Sequence, residues 1–273
     1  MLILIKHLTE FGKEMIIKKL IVWLAFRKLV RQYECDLAFT PMIISDSFIK
    51  SLKARDSDFT TCKEDRPLIV QFAAKNGKEF ADAAEIVVPY SDGVDLNCGC
   101  PQRWAMAEGY GACLIKKPEL VKDMVNQAKS RVNNEDFTVS IKIRIHNDIR
   151  ETVDMCQKAE KADSLQCPVI ANGDINSLED VQRIAELTGV NGVMAARGIL
   201  QNPAMYSGYD NTPLDCVQKW LDISTSLGTH YRCFHNHLIY MLERVLPRAE
   251  RRIFNALVSS SAVMDYLKEH LGI

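Results

Sequence analysis

The run Asp95-Leu96-Asn97-Cys98-Gly99-Cys100-Pro101 passes from an apolar stretch into a turn, carrying a carboxylate, an amide and two thiols with it. A cysteine at the carboxyl end of a parallel strand can act as nucleophile, metal ligand or proton donor, according to its pKa and what lies above it. The plain alternative for Cys-Gly-Cys is a buried, inert pair. Zinc is disfavoured, because no second Cys or His pair at ligand spacing accompanies it. The Gly-rich stretch Glu108-Gly109-Tyr110-Gly111-Ala112 would be only a tight turn alone, and becomes informative next to Cys100.

Three further groups point to anions. In Val139-Ser140-Ile141-Lys142-Ile143-Arg144-Ile145-His146, strand alternation puts Lys142 and Arg144 on one side, and two inward cations imply an anionic ligand. Asn172-Gly173-Asp174 and Ala196-Arg197-Gly198 each follow an apolar run. Paired Gly-containing loops after the last two strands of an α/β barrel commonly hold phosphate through backbone N–H groups. Either loop alone reads as an ordinary turn. Near the C-terminus, Arg244, Arg248, Arg251 and Arg252 recur at helical spacing, a stripe whose repulsion an RNA backbone would relieve. The competing reading is a solvated face balanced by Glu243 and Glu250.

The elements that must position these residues alternate between short apolar runs and amphipathic stretches, the pattern of repeated βα units around a parallel sheet. Strands are predicted at 36–41, 68–73, 93–97, 139–144, 168–171 and 192–195, each mostly continuous in apolar residues, as strands covered on both faces are. Helices are predicted at 78–87, at 118–132 with Pro118 at its start, and at 177–187. The last has a Ser177/Asp180 capping box and Gly189 beyond its end. In the first 34 residues, 1–5 can be a strand and 14–32 a helix. After a Gly, Asp, Asn and Pro-rich turn at 206–213, only helical periodicity continues. The expected domains are a (β/α) barrel-like catalytic domain over 1–205, a linker at 206–213 and a helical domain at 214–273.

A chain of 273 residues, 47% apolar, can bury a sizeable core. Its net charge of -1 excludes binding to nucleic acid by overall charge, so an RNA contact must be a local Lys/Arg patch. Nine scattered cysteines fit a reducing compartment rather than a disulfide framework. The apolar run 20–26 is too short to span a membrane. A cytoplasmic location is expected, although seven Lys or Arg against two Glu in the first 31 residues also suit a mitochondrial transit peptide.

Taken in order, Asp95 to Gln102, Gly109-Tyr110-Gly111-Ala112-Cys113-Leu114, Lys142-Ile143-Arg144, Asn172-Gly173-Asp174 and Ala196-Arg197-Gly198 resemble the tRNA-dihydrouridine synthases. The run Gln102-Arg103-Trp104-Ala105-Met106-Ala107-Glu108-Gly109-Tyr110-Gly111 is most similar to the eukaryotic dihydrouridine synthase 4-like group. The resemblance spans about 24–273. It implies an FMN-binding TIM barrel followed by a small helical domain that holds tRNA, reducing a D-loop uridine to 5,6-dihydrouridine with NADPH or NADH as electron donor. Cys100 would donate the proton to C5, Gln71 would bond the flavin ring and Lys142 would stabilise the negative charge of the reduced flavin. Asn97 would help hold uracil or flavin, and the loops 172–174 and 196–198 would bind the FMN phosphate. Arg144 and the C-terminal arginines would meet the RNA.

Two family elements are missing from the sequence: the opening strand with its Ala-Pro-Met signature, and a strand, His-Gly-Arg motif and helix between Glu160 and Cys167, where only six residues stand. Six strands are found where a closed barrel needs eight, so an incomplete barrel with open sheet edges is expected. A shortened splice product or a faulty gene model accounts for such a break. The competing functions are an inactive isoform that keeps RNA contacts and an FMN barrel oxidoreductase acting on a free pyrimidine.

Overall fold

The computed structural model describes residues 2–5, 17–21, 23–145, 148–160 and 168–273. Its strands are β1 (Leu2–Ile5), β2 (Ile17–Ile21), β3 (Leu37–Phe39), β4 (Ile43–Ile44), β5 (Leu68–Ala73), β6 (Gly93–Cys98), β7 (Thr138–Ile143), β8 (Val169–Asn172) and β9 (Gly192–Met194). They form one sheet in the order β3-β2-β9-β8-β1-β7-β6-β5-β4, and β3 pairs with β5 as well. That extra pairing closes a ring of eight strands. The short β4 continues the line of β3 along β5, with Phe39 opposite Ile69 and Ile43 opposite Phe72.

The barrel is incomplete in βα units, as expected, and the two N-terminal strands bridge its open edges. β2 lies parallel between β9 and β3. β1 lies antiparallel to both β7 and β8, with Leu2 opposite Ile143 on one side and Ala171 on the other. Left unpaired, the facing edges of β7 and β8 would present rows of unbonded backbone groups, and β1 supplies partners to both. The predicted helix over 14–32 is corrected: Ile17–Ile21 is a strand and only Leu24–Arg31 is helical. The Ile-rich segment is β-compatible, and two waiting edges outweigh weak helical propensity.

The helices are α1 (Leu24–Arg31), α2 (Ser45–Lys50), α3 (Leu52–Asp58), α4 (Gly77–Val87), α5 (Arg103–Ala107), α6 (Pro118–Arg131), α7 (Ile149–Glu160), α8 (Leu178–Thr188), α9 (Arg197–Gln201), α10 (Leu214–Ser226), α11 (Tyr231–Met241), α12 (Arg248–Asn255) and α13 (Ser260–Leu271). The Ser177 cap forms as read, its hydroxyl accepting from Asp180 N at 3.1 Å, while the Asp180 carboxylate accepts from Asn176 N, one residue before the cap, at 3.0 Å. Gly189 ends α8 at φ 65°. None of the described helices is long and apolar enough to cross a membrane.

Two apolar cores flank the ring. One lies between β5–β7 and the helices α4 and α6. The other joins α1, α8 and β9 to α10–α13, so the C-terminal helices share a core with the barrel. At its centre the His237 ring stacks on Phe26 with centroids 4.2 Å apart, and Phe26 meets Trp220 edge-on. The stretch 206–213 is tied down at both ends. The Tyr206 hydroxyl accepts from Ala195 N, and Thr212 donates to the Gln201 carbonyl.

A buried ion pair fixes α1 to the loop before β5. Arg27 donates from Nε and Nη2 to Asp65 Oδ2 at 2.9 and 2.7 Å, and Arg31 reaches Oδ1 at 3.2 Å. Arg27 and Asp65 are 1% and 0% exposed. Removing one partner strands a buried charge, so Asp65→Ala is expected to cost about 3–5 kcal/mol. Urea unfolding of the two proteins measures it, and a difference below about 1 kcal/mol, the size of an exposed pair, contradicts the burial argument.

Candidate active site

The register of three neighbouring parallel strands assembles the site. Gln71 on β5 pairs with Asp95 on β6, Asp95 with Ser140 on β7, and Asn97 with Lys142. Alternation sends Val70, Phe72, Val94, Leu96, Cys98, Val139, Ile141 and Ile143 into the core beneath the helices. The polar members therefore face the barrel interior, and all five are buried. Lone buried polar groups are costly, and here four bond to one another while Lys142 bonds to Asn172 and Met194.

The bonds run as one chain. Ser140 donates to Asp95 Oδ1 at 2.7 Å, Gln71 Nε2 donates to Asp95 Oδ2 at 2.8 Å, and Asn97 Nδ2 donates to Gln71 Oε1 at 2.9 Å. Asn97 Oδ1 then accepts from the backbone N–H groups of Gly99 and Cys100, at 3.1 and 3.0 Å. Asn97 is thus the clamp that sets the Cys100 loop. The Cys100 carbonyl accepts from Ala112 N at 2.9 Å. Gly111, at φ +66°, approaches so closely that a Cβ there would lie 2.7 Å from that carbonyl. Of the two thiols, Cys98 is fully buried, its pKa pushed well up by desolvation and then by the Asp95 charge. Cys100 is half-buried at the rim. Cys98 and Cys100 are both free thiols.

Lys142 is buried to 5% exposure, and its Nζ donates to Asn172 Oδ1 at 3.2 Å and to the Met194 sulfur at 3.0 Å. Desolvation lowers its pKa to about 8, with the Asp95 charge opposing. Arg144 departs from the expected pair of inward cations. It sits one residue past β7, exposed at the rim, with Nε 3.4 Å from the Gly99 carbonyl. His146, the end of that motif, lies outside the described residues.

The two predicted anion loops do come together. Asn172, Gly173, Asp174, Ala196, Arg197 and Gly198 line one cavity of about 560 Å³ with Arg144. Asn172 Nδ2 donates to the Met194 carbonyl at 2.7 Å, and Arg197 pairs with Asp174 across the opening. A Cβ on Gly198 would lie 2.2 Å from the Ile175 carbonyl, so only glycine lets the two loops touch. The sequence reading gave no role to Asp95, Ser140, Thr40 or Met194. A carboxylate inside an otherwise apolar strand was the available signal for Asp95. Thr40, whose hydroxyl accepts from Gln71 N at 3.0 Å, offered none.

The arginine stripe is corrected. Arg244 lies in a turn after α11, and Pro247 begins a new helix, so the four do not share one helical face. Arg248, Arg251 and Arg252 line a cavity of about 380 Å³, while Arg244 reaches back toward Gln201 Oε1 at 3.4 Å.

Comparison with known proteins places this geometry. The pattern of the dihydrouridine synthase (Dus) family matches residues 20–163 and 162–261, two segments that meet at the break read after Glu160. A human protein named tRNA-dihydrouridine(20a/20b) synthase-like, with NAD(P)+ in its name, is 54% identical over 278 residues, covering 92% of this chain and 88% of its own. A Caenorhabditis elegans tRNA-dihydrouridine synthase-like protein is 43% identical over 92% of this chain and 98% of its own. The tRNA-dihydrouridine(20a/20b) synthase of Schizosaccharomyces pombe is 37% identical over 92% and 85%. Since 92% of 273 residues is about 251, an alignment 278 long leaves about 27 positions of the human relative without a counterpart here. With a matching family pattern over most of its length and a TIM barrel bearing the family's motifs at one mouth, the chain belongs to the dihydrouridine synthase family.

Proposed function

We propose that this chain reduces a uridine in the D-loop of tRNA to 5,6-dihydrouridine, with FMN as cofactor and NADPH or NADH as electron donor. The names of the relatives point to positions 20a and 20b as the targets. The observation that carries the reading is the meeting of Cys100 and Lys142 at one barrel mouth: the Asn97–Gln71–Asp95–Ser140 chain holds the Cys100 loop, and Lys142 stands opposite Asn97 in the β6–β7 register. A thiol at the rim and a buried cation in the floor suit a reaction that needs a proton and a stabilised negative charge.

The residues present fit FMN. Among the described residues, Lys142 hydrogen-bonds to a neutral amide and a thioether and to no carboxylate, which leaves an N–H for a ring that becomes anionic on reduction. The cavity at the ends of β8 and β9 offers Arg144, Arg197 and Gly-lined backbone to a phosphate. When bound and reduced by the pyridine nucleotide, FMN would supply the hydride that adds to C6 of the uracil. Cys100 gives its proton to C5, on the side its loop presents, and Asn97 keeps the loop at the rim. Gln71, held by Asp95 and Asn97, keeps one amide hydrogen for the cofactor. Arg244, Arg248, Arg251 and Arg252 meet the tRNA backbone.

The purified chain mixed with FMN should keep a bound-flavin spectrum through gel filtration. Given NADPH and unmodified tRNA, it should then form dihydrouridine. A colourless protein after mixing contradicts the reading and favours the inactive isoform. Bound flavin with turnover of free uracil but not of tRNA favours the free-pyrimidine enzyme.

A further inference from the structure

Among the described residues, two buried side-chain polar atoms have no hydrogen-bond partner: His237 Nδ1 and Arg251 Nε. Buried orphans are rare in folded proteins, and each asks what is meant to meet it. These two belong to adjoining cavities. His237 lines one of about 820 Å³, bounded by Trp23 before α1, Pro41 after β3, and α11. Arg251 lines the cavity of about 380 Å³ with Arg248 and Arg252. Tyr240 lines both, so they share a wall.

Their chemistries differ in a complementary way. The larger cavity has aromatic surface from Trp23 and Tyr240, which are 43% and 45% exposed, and an amide from Asn236. Its His237 is held flat against Phe26, and burial lowers its pKa to about 4, so it serves as a neutral hydrogen-bonding group. Stacking faces with neutral polar edges are what a nucleobase needs. The smaller cavity has three guanidinium groups, and its acidic member Glu243 is already engaged by Gln201 Nε2 at 2.7 Å. That set suits a phosphate.

We infer that the two cavities together hold one unstacked nucleotide of the RNA, its base beside Trp23, Tyr240 and His237 and its phosphate against Arg248, Arg251 and Arg252. The inference rests on the tRNA reading above. Neither cavity includes Cys100 or shares a lining residue with the cavity at the ends of β8 and β9, and the nucleotide assigned here is a different one from that reduced. It is an anchor, and a second point of attachment raises affinity without any new contact at the first.

Binding of an unmodified tRNA transcript to wild type, Tyr240→Ala and Arg252→Gln, measured across salt concentrations, tests it. Tyr240 and Arg252 are exposed enough that neither change should unfold the chain. Tyr240→Ala should weaken binding about tenfold with the salt slope unchanged, because stacking releases no counterions. Arg252→Gln should weaken binding and reduce the salt slope by about one. Wild-type affinity in Tyr240→Ala, an unchanged slope in Arg252→Gln, or a wild-type chain that does not bind the transcript overturns the site. If these losses appear in a chain that makes no dihydrouridine, the anchor stands and the enzymatic reading fails. If dihydrouridine forms and both variants bind as wild type, the anchor alone fails.

Discussion

Cys100→Ala is expected to keep its flavin spectrum and its tRNA affinity while losing dihydrouridine formation by about two to four powers of ten, the range for a positioned general acid. The structure gives reasons for both halves of that expectation. The Cys100 loop is held by its backbone, through Asn97 Oδ1 and the Ala112 N–H, so deleting the thiol leaves the loop in place. Cys98→Ala is the internal control. Its sulfur lies in the apolar core beneath the helices, and desolvation keeps it protonated, so its loss should cost stability and leave turnover per folded molecule intact. The measurement is single-turnover reduction of unmodified tRNA by flavin-loaded protein. Equal rates for Cys100→Ala and wild type remove the proton-donor assignment. Equal losses in both cysteine variants would instead mean that the loop, rather than the thiol, had been damaged.

The parts of the molecule legible from sequence are those whose signal is local. The strands β5, β6 and β7 begin and end within one residue of their expected bounds, because an apolar residue recurs at every second position along each of them. The Ser177 cap and Gly189 stop mark α8 by chemistry that needs no tertiary partner. What escaped depends on pairing. The strand reading of 1–5 holds in β1, but counting βα units cannot give it a place, since it runs antiparallel between β7 and β8 without a crossover of its own. Likewise β2 takes its conformation from the edges of β9 and β3. The Asp95–Ser140 bond exists only once the β6–β7 register is known. The Arg27–Asp65 pair spans 38 residues that no local pattern connects. The four arginines looked periodic, but Pro247 divides them between a turn and a helix.

The candidate site itself was readable because its residues lie in motifs, and the structure adds the division of labour among them. Asn97 was expected at the ligand. It spends its carbonyl oxygen on two backbone N–H groups and one amide hydrogen on Gln71, which makes it first a positioning residue for Cys100. Lys142 and Arg144, alike in the sequence, are separated in depth: one is sealed in the floor and the other is at the rim.

That separation gives Lys142→Met two opposed effects. A lysine buried without a hydrogen-bonded carboxylate is unfavourable to the free protein, and its pKa near 8 expresses the imbalance against 10.5 in the unfolded chain. Below pH 8 the amine is charged in both states and the penalty, about 3 kcal/mol at most, is fully present. Between 8 and 10.5 the unfolded chain holds the proton that the folded one releases, so stability rises with pH. Methionine removes the charge at similar volume, and the cofactor-free variant should therefore melt several degrees higher than wild type near neutral pH, with the gain gone above about pH 10. Flavin binding should move the other way. Losing a buried charge partner costs about 2–5 kcal/mol, so affinity for reduced FMN, whose ring is anionic, should fall at least thirtyfold. In wild type, that anionic ring raises the Lys142 pKa, so reduced FMN should bind best below pH 8 and progressively less well above it. Thermal melts without cofactor and absorbance titrations with reduced FMN, both run across pH, separate the two effects. A variant that is less stable but binds reduced FMN as wild type does would mean that Lys142 supports the fold and not the cofactor. Higher stability with lost flavin is the expected signature of a cation kept in the barrel floor for its ligand.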